Sequence, residues 1–491
     1  MKPLPRLSPL WAVVFALVTA LAAALRLTGL NSPHALIFDE TYYAKDAWAL
    51  LSSGFERSWG PDADKQWLAG STAGMGASGS YVVHPPLGKW LIALGLGAFG
   101  MEHAVGWRIA PAVVGTLTVP LLAFTARRLL RSNLWGAVAG FLLAVDGMHL
   151  VMSRAALLDI FLTFFLLLAF FFLVRDRDAA DDAAFGSTSP RRPLVPVRGW
   201  RLLAGVSLGL ALGVKWSALA FVAVFGLMTW LWDVARRRRA GGSRPVWNAV
   251  ADAGTALWQT VVVAAPVYVA TWAGWIATRG GYFRTWGEEH AHPAWLPDWA
   301  ASLAHYHASA YTFHNELDAD HPYEAQAVTW LFQGRPTSFF YEESAAGTAG
   351  CAAAKCSSAI TDLGNPLIWW AGALSLIVVT AAWLLRRDGR AGAALAGVLA
   401  GLGPWFAFPS RTMFTFYSVS FEPWLILCLV YALALALSSA RTPRSRAVVA
   451  WCIAGFVCVA AALSAWFWPI WTGQAIPYEQ WRLRMWFDSW I

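Results

Sequence analysis

Two adjacent carboxylates, Asp39 and Glu40, follow directly on the first long apolar run of the chain, residues 10–30. Acids at the mouth of a membrane span are costly to hold beside hydrocarbon and are usually kept for function. In a chain without a cofactor motif, a carboxylate so placed suits the work of a base on a hydroxyl group. The plainer alternative is a solvated acid pair in a loop. Cations that suit a phosphate stand at other span boundaries: Arg108 after Trp107, Arg154 after Ser153, Arg411 between Pro409 and Phe414, with Lys89 and Lys215. A guanidinium donates two parallel hydrogen bonds to a phosphate. Each of these side chains also has the ordinary role of snorkelling to water and anchoring a helix. Asp159 lies inside the apolar run 157–174 and requires a partner there, a role open to Arg154 or Arg108.

The elements that must position these groups are apolar. Of 491 residues, 58% are hydrophobic and 13% charged, against roughly 25% charged in a soluble domain. The chain is a membrane protein, and its 31 tryptophans suit interfacial belts around many spans. The net charge of +8 does not point to nucleic acid, because the basic residues fall in short clusters between apolar runs.

A span takes about 20 apolar residues. The pattern predicts eleven, at 10–30, 105–129, 134–150, 155–174, 200–214, 217–234, 256–276, 366–385, 391–408, 414–437 and 448–468. Residues 90–100 are too short to cross and are predicted to be interfacial. Lys2 and Arg6 give the first run the look of a signal peptide, but no small-residue cleavage pattern follows, so it is expected to be a retained span. The arginine clusters at 127–131, 175–201, 236–239, 386–390 and 441–446 share one face with Lys2 and Arg6, which the positive-inside rule makes cytoplasmic. The first loop (31–104), a large segment (277–362), the C-terminal tail (469–491) and all ten histidines are then expected on the extracytoplasmic face. The whole chain, 1–491, reads as a single multi-pass domain in the cell membrane with its N-terminus cytoplasmic. Residues 176–197 are expected to be a mobile linker. The tail, with Trp481, Arg482, Arg484 and Trp486, is expected to lie on the membrane surface.

Cys351 and Cys356 lie close together in the outer segment, where a pair can be oxidised to a disulfide. No second pair stands at ligand spacing, so no metal site is expected. Cys428, Cys452 and Cys458 sit in apolar runs and read as packing residues. Chemistry outside cannot draw on cytoplasmic ATP, and neither a Walker nor a dinucleotide glycine motif is present. Gly213-Val214-Lys215-Trp216-Ser217 has a Lys–Ser pair without the flanking glycines. A lipid-linked donor delivered through the bilayer meets the supply problem.

Several motifs, taken in order, resemble those of the protein O-mannosyltransferases. They are Phe38-Asp39-Glu40, His84-Pro85-Pro86-Leu87-Gly88-Lys89, Ser153-Arg154-Ala155-Ala156-Leu157-Leu158-Asp159, Gly213-Val214-Lys215-Trp216, His321-Pro322-Tyr323-Glu324 and Leu363-Gly364-Asn365-Pro366-Leu367-Ile368-Trp369-Trp370. The resemblance implies an all-α polytopic membrane protein of the GT-C glycosyltransferase fold, with about eleven spans and extracytoplasmic loops forming the active site. It implies inverting transfer of mannose from a polyprenyl (dolichyl-type) phosphate mannose to a Ser or Thr of a translocating polypeptide. No cofactor and no nucleic acid enter; the lipid-linked sugar is the substrate, and the membrane lipid surrounds the site. On the same resemblance Asp39 is the catalytic acid and Glu40 its neighbour. Arg108, Arg154, Asp159, Lys215, Arg411 and Tyr417 serve the donor phosphate and lipid, and His84, Lys89, His321, Tyr323 and Glu324 the sugar or acceptor. Two departures stand out. The segment 279–362 is too short for the sugar-binding trefoil domain of the fungal and animal members, and Arg411-Thr412-Met413-Phe414-Thr415-Phe416-Tyr417 replaces the usual His-Tyr pattern. An Arg- and Ala-rich chain without the insert resembles the actinobacterial branch.

A hydroxyl is a weak nucleophile and needs a positioned base, whereas a phosphate leaving group needs charge neutralisation rather than a general acid. One carboxylate and a set of cations therefore suffice. The rivals are a GT-C transferase of another sugar to a glycan or lipid, a transporter and a structural scaffold. Transporters place polar sites at the bilayer midplane and carry internal repeats. Here the charges gather at the outer boundary and no repeat is visible.

Overall fold

The computed structural model describes residues 4–185, 197–241, 245–347 and 350–491. Its frame is helical: α1 (Pro9–Leu27), α2 (Glu40–Ser53), α3 (Leu87–Phe99), α4 (Ala104–Leu130), α5 (Asn133–Val145), α6 (Gly147–Arg154), α7 (Asp159–Phe185), α8 (Gly199–Val214) and α9 (Ala218–Arg239). It continues with α10 (Pro245–Leu257), α11 (Val263–Thr271), α12 (Asp298–Glu316), α13 (Pro366–Arg386), α14 (Gly389–Leu402), α15 (Glu422–Ser439) and α16 (Pro443–Thr472). Local sequence sets their ends. Asn365 accepts from the backbone of Leu367 and Ile368 while Pro366 occupies the first turn of α13, and Thr442 and Ser445 form a reciprocal cap before α16. Caps of this kind contribute about 1 kcal/mol each.

Seven of the described helical stretches are long and apolar enough to cross a membrane, or eight if α5 and α6 form one bent span. The expected eleven is thus not reached by length and composition. The expected spans at 200–214 and 391–408 form helices of only 16 and 14 residues. The one at 155–174 is α7, whose apolar start runs on into Arg175, Asp176 and Arg177. The expected span 134–150 turns by 59° between α5 and α6. Asp146 makes the break: its carboxylate accepts from Met148 N at 2.9 Å and Asn365 N at 3.1 Å. Gly147 follows because a Cβ there would meet the Trp471 ring at 2.1 Å. The span expected at 256–276 begins earlier, running from Val246 to Thr271 through a π turn. Asp252, which lowers its apolarity, is neutralised by Arg237 through contacts of 2.6 and 2.7 Å.

The residues expected to be interfacial do form a short helix, α3. The loop before it carries a small antiparallel pair, β1 (Arg57–Trp59) and β2 (Met75–Gly79). The large later segment holds α12 and the hairpin β3 (Ser338–Ala345) and β4 (Lys355–Thr361), whose turn is closed by a Cys351–Cys356 disulfide. The C-terminal tail packs in part against the protein and leaves Leu483, Trp486 and Phe487 exposed. Its strand β5 (Ile476–Pro477) pairs with β4, and Trp481 and Trp490 are buried.

The expected linker also needs correction. Residues 176–185 continue α7, Val197 is an exposed bend, and 186–196 lie outside the described residues. Asp176 pairs with Arg198 (2.6 Å) and Arg201 (3.0 Å), and Asp233 with Arg198 (2.8 Å) and Arg201 (2.7 Å). Charges buried at helix ends are tolerated because they are paired.

Candidate active site

The loop between α1 and α2 is held from two sides. Phe38 adopts φ 45°, a left-handed conformation that costs a non-glycine residue about 1–2 kcal/mol. Aromatic rings pin it there: Phe339 stacks at 4.9 Å, Phe416 and Phe414 meet it edge-on at 5.5 and 5.9 Å, and His321 at 6.4 Å. On the other side Glu40 is fully buried and accepts five hydrogen bonds. They come from Ile37 N (3.0 Å), Trp107 Nε1 (3.2 Å), Arg108 Nε (2.8 Å) and Nη2 (2.7 Å), and Ala156 N (2.9 Å). Arg108 spends its remaining donors on the carbonyls of Leu30, Pro33 and Ala35. Glu40, expected beside Asp39 as a catalytic acid, is therefore a tie between the Asp39 loop, α4 and the turn leading to Asp159, with its acceptor sites taken. Arg108 belongs to that tie and does not line the cavity described below.

Asp39 presents the opposite picture. Its carboxylate accepts no hydrogen bond among the described residues. Burial pushes its pKa up to about 6; Lys215 pulls it down and Asp159 adds to the rise.

Lys215 and Asp159, which act on it, line a cavity of about 380 Å³ whose wall does not include Asp39 itself. Its wall combines the polar side chains of His84, Asp159, Lys215, His314, Arg411 and Tyr417 with the apolar ones of Leu162, Leu219, Phe221, Pro404, Trp405 and Phe408. Asp159 pairs with Lys215, Nζ to Oδ2 at 2.7 Å, and not with Arg154 or Arg108. The ammonium also sits 5.5 Å from the centre of the Tyr417 ring. Arg411 donates through Nε to the carbonyl of His314 at 3.0 Å and lies over Trp405 at 5.4 Å. His84 and His314 stack at 5.3 Å. Burial, with the nearby cations, pushes both imidazoles below their ordinary pKa and so favours their neutral forms.

The remaining expected residues lie elsewhere. Arg154 donates to the carbonyls of Leu25, Arg26, Thr28 and Gly29 and so closes the end of α1. Lys89 is buried, 2.5 Å from Glu56 and 3.9 Å from Asp46. Tyr323 lies under Arg335, ring centre to guanidinium 4.9 Å, and Glu324 accepts from Gln326. Among the histidines, His149 is no surface group but is buried against Arg26, Nδ1 to Nη2 at 2.8 Å.

The family comparisons bear directly on this arrangement. Residues 16–251 match the family model described as dolichyl-phosphate-mannose-protein mannosyltransferase, and residues 300–490 the C-terminal four TMM region of protein-O-mannosyltransferase. A polyprenol-phosphate-mannose–protein mannosyltransferase of Mycolicibacterium smegmatis is 36% identical over 99% of this chain and 95% of its own. The chain belongs to the protein O-mannosyltransferase family. A relative of the same description from Corynebacterium glutamicum is 33% identical, over 98% of this chain and 93% of its own. The Saccharomyces cerevisiae protein O-mannosyltransferase Pmt1-Pmt2 complex bound to the sugar donor superposes with a TM-score of 0.74 at 16% identity, covering 99% and 93% of the two chains. ArnT from Cupriavidus metallidurans bound to undecaprenyl phosphate gives 0.52 at 17% identity, over 97% and 76%. The fold of this mannosyltransferase family member is accordingly that of the GT-C glycosyltransferases.

Among the wall residues of the cavity that sequence did not single out are His314 and Trp405. His307 and His314 are seven residues apart on α12, two turns on one face, and that spacing was a usable signal. Trp405 follows an apolar helix in a short 3-10 stretch, and nothing local distinguishes it from the other tryptophans.

Proposed function

We propose that this family member transfers mannose from a polyprenyl phosphate mannose to Ser or Thr hydroxyls of polypeptides, with inversion at the anomeric carbon. One observation carries the proposal: apolar residues and two cations line one cavity, and two of its lining residues, Lys215 and Asp159, act electrostatically on Asp39, whose carboxylate accepts no hydrogen bond among the described residues. The apolar wall of Leu219, Phe221, Pro404 and Phe408 takes the first prenyl units, and Arg411 and Lys215 take the phosphate. Asp39 accepts the proton of the acceptor hydroxyl as its oxygen bonds to C1 of the mannose. The bond from C1 to the phosphate oxygen breaks, and the phosphate leaves with the electron pair, its charge met by the two cations. A β-linked donor then gives an α-mannoside. Asp159 keeps Lys215 aimed, His84 offers a hydrogen bond to a sugar hydroxyl without competing for the phosphate, and His314, bonded to the Val83 carbonyl, holds Arg411 in place.

The acceptor enters from the side of His321, Tyr323 and Glu324, and a polypeptide emerging through the membrane fits that approach. The site and the C-terminus face the outside of the cell membrane, with the N-terminus in the cytoplasm. The Cys351–Cys356 disulfide supports an oxidising compartment, and the arginine clusters at the other end of the bundle support the orientation. No cofactor beyond the lipid-linked donor enters the scheme. Purified protein incubated with labelled polyprenyl phosphate mannose and a Ser/Thr-rich peptide is expected to place alkali-releasable label in the peptide. Label confined to lipid or glycan would contradict the proposal.

A further inference from the structure

At the end of the bundle away from Asp39 the helices leave a second cavity, of about 910 Å³. A full helix separates the two sites. Arg108, which clamps Glu40, and Arg131, on the wall of the second cavity, lie at opposite ends of α4, about 35 Å apart at 1.5 Å per residue. The walls carry six arginines, Arg131, Arg177, Arg236, Arg239, Arg387 and Arg390, against two aspartates, Asp181 and Asp388.

The deep arginines are held. Arg236 donates to Asp181 at 2.6 Å and to Asp233, and Arg131 and Arg177 each reach Asp178 at 2.9 Å. The Nε of Arg177 is nevertheless buried without a partner. At the mouth Arg390 is held by Asp388 at 2.5 Å, and two others are freer. Arg387 is exposed and meets no carboxylate among the described residues, and Arg239 comes only to 3.7 Å from Asp181. Between the charges the wall is apolar, with Leu129, Leu130, Trp135 and Leu435.

We propose that this cavity holds the phosphate headgroup of an anionic phospholipid, with an acyl chain lying along Leu130, Trp135 and Leu435. The excess of guanidinium groups repels itself when the cavity is empty, and a phosphate relieves that repulsion while accepting forked hydrogen bonds. Basic pockets between membrane helices are suited to lipid phosphates, because the helix ends bring charge to headgroup depth and the walls below it are apolar. A free phosphate uses only the first of these features; a phospholipid uses both. The lipid ties together the ends of α4, α9 and α15 and the turn between α13 and α14. It therefore stabilises the bundle by mass action.

The test uses full-length protein stripped of lipid in a neutral detergent and titrated separately with phosphatidylglycerol, phosphatidylcholine and inorganic phosphate, read by native mass spectrometry and thermal melting. Phosphatidylglycerol is expected to bind one to one and raise the melting temperature, phosphatidylcholine to do neither, and inorganic phosphate not to displace the bound lipid at equal concentration. Combined Arg239→Gln, Arg387→Asn and Arg390→Gln is expected to weaken phosphatidylglycerol binding by at least roughly tenfold, with mannose transfer in neutral detergent unchanged. Arg387→Asn alone guards against misfolding of the triple variant, since the side chain is unpaired and asparagine tolerates its φ of 52°. Phosphatidylcholine binding as tightly, undiminished phosphatidylglycerol binding by these variants, or inorganic phosphate reproducing the whole effect would each overturn the proposal.

Discussion

Asp39 and Glu40 are neighbours in sequence and opposites in circumstance. Glu40 is buried under five hydrogen bonds and an arginine; Asp39, one peptide unit away, accepts none among the described residues and is reached electrostatically by Lys215 and Asp159 from a cavity wall. The comparison teaches that an acid pair at a membrane boundary divides its labour. One carboxylate is spent on holding the loop, and that expenditure leaves the other uncompensated and poised near neutrality, where a base is most useful.

The largest effect is expected from Asp39→Asn, which removes the base and should lower kcat by about a thousandfold, within the range for general-base removal. Its stability should not fall. Burial raises the folded-state pKa of Asp39, so the proton favours the folded state at acid pH, and that contribution is lost as pH rises through about 6. Asparagine is spared the loss, so near neutral pH the variant should melt no lower than the parent. Transfer at parental rates would break the comparison at its first half.

Glu40→Gln tests the second half. Breaking a buried charge pair costs about 3–5 kcal/mol, so the variant should melt markedly lower and accumulate poorly. A parental melting temperature would show that the tie to Arg108 does not hold the loop. Arg411→Ala should come next, with a loss of about a hundredfold in kcat/KM for the donor, matching removal of one transition-state donor. Arg411→Lys should recover only part of it, since the charge returns without the fork. An equal loss toward donor and peptide would assign Arg411 to structure instead. Glu324→Gln, whose carboxylate is bonded only to the exposed Gln326 among the described residues, should be the mildest, with stability within about 0.5 kcal/mol of the parent and transfer little changed; a large loss would move the acceptor site onto that residue.

Much of the fold was legible because hydrophobic runs in a bilayer are long and unambiguous. The misjudged places share a cause, polar groups whose partners are distant in sequence. Asp252 hid the start of α10 because its neutralising Arg237 belongs to α9. Asp146 broke a span because Asn365, 219 residues away, donates to it. Asp176 and Asp178 looked like linker composition until arginines from other segments paired with them. At the site the same limit applied. Residue types and motif order singled out Lys215, Arg411 and Tyr417, which line one cavity, and Asp39, which Lys215 and Asp159 reach electrostatically from that cavity's wall. They did not distinguish Arg411, which lines the cavity, from Arg108 and Arg154, which close loop and helix ends. That distinction rests on which carbonyls lie within reach, and sequence spacing carries no trace of it.

The central claim is that Asp39 works as a base whose proton is held unusually firmly. The most direct test is the pH dependence of kcat/KM for peptide mannosylation by the parent enzyme at a fixed donor concentration. Because the protonated carboxyl cannot accept a proton, log kcat/KM should climb with unit slope at acid pH and level off above a midpoint near 6. A profile that is flat across that region, or that falls as pH rises through it, would contradict the account.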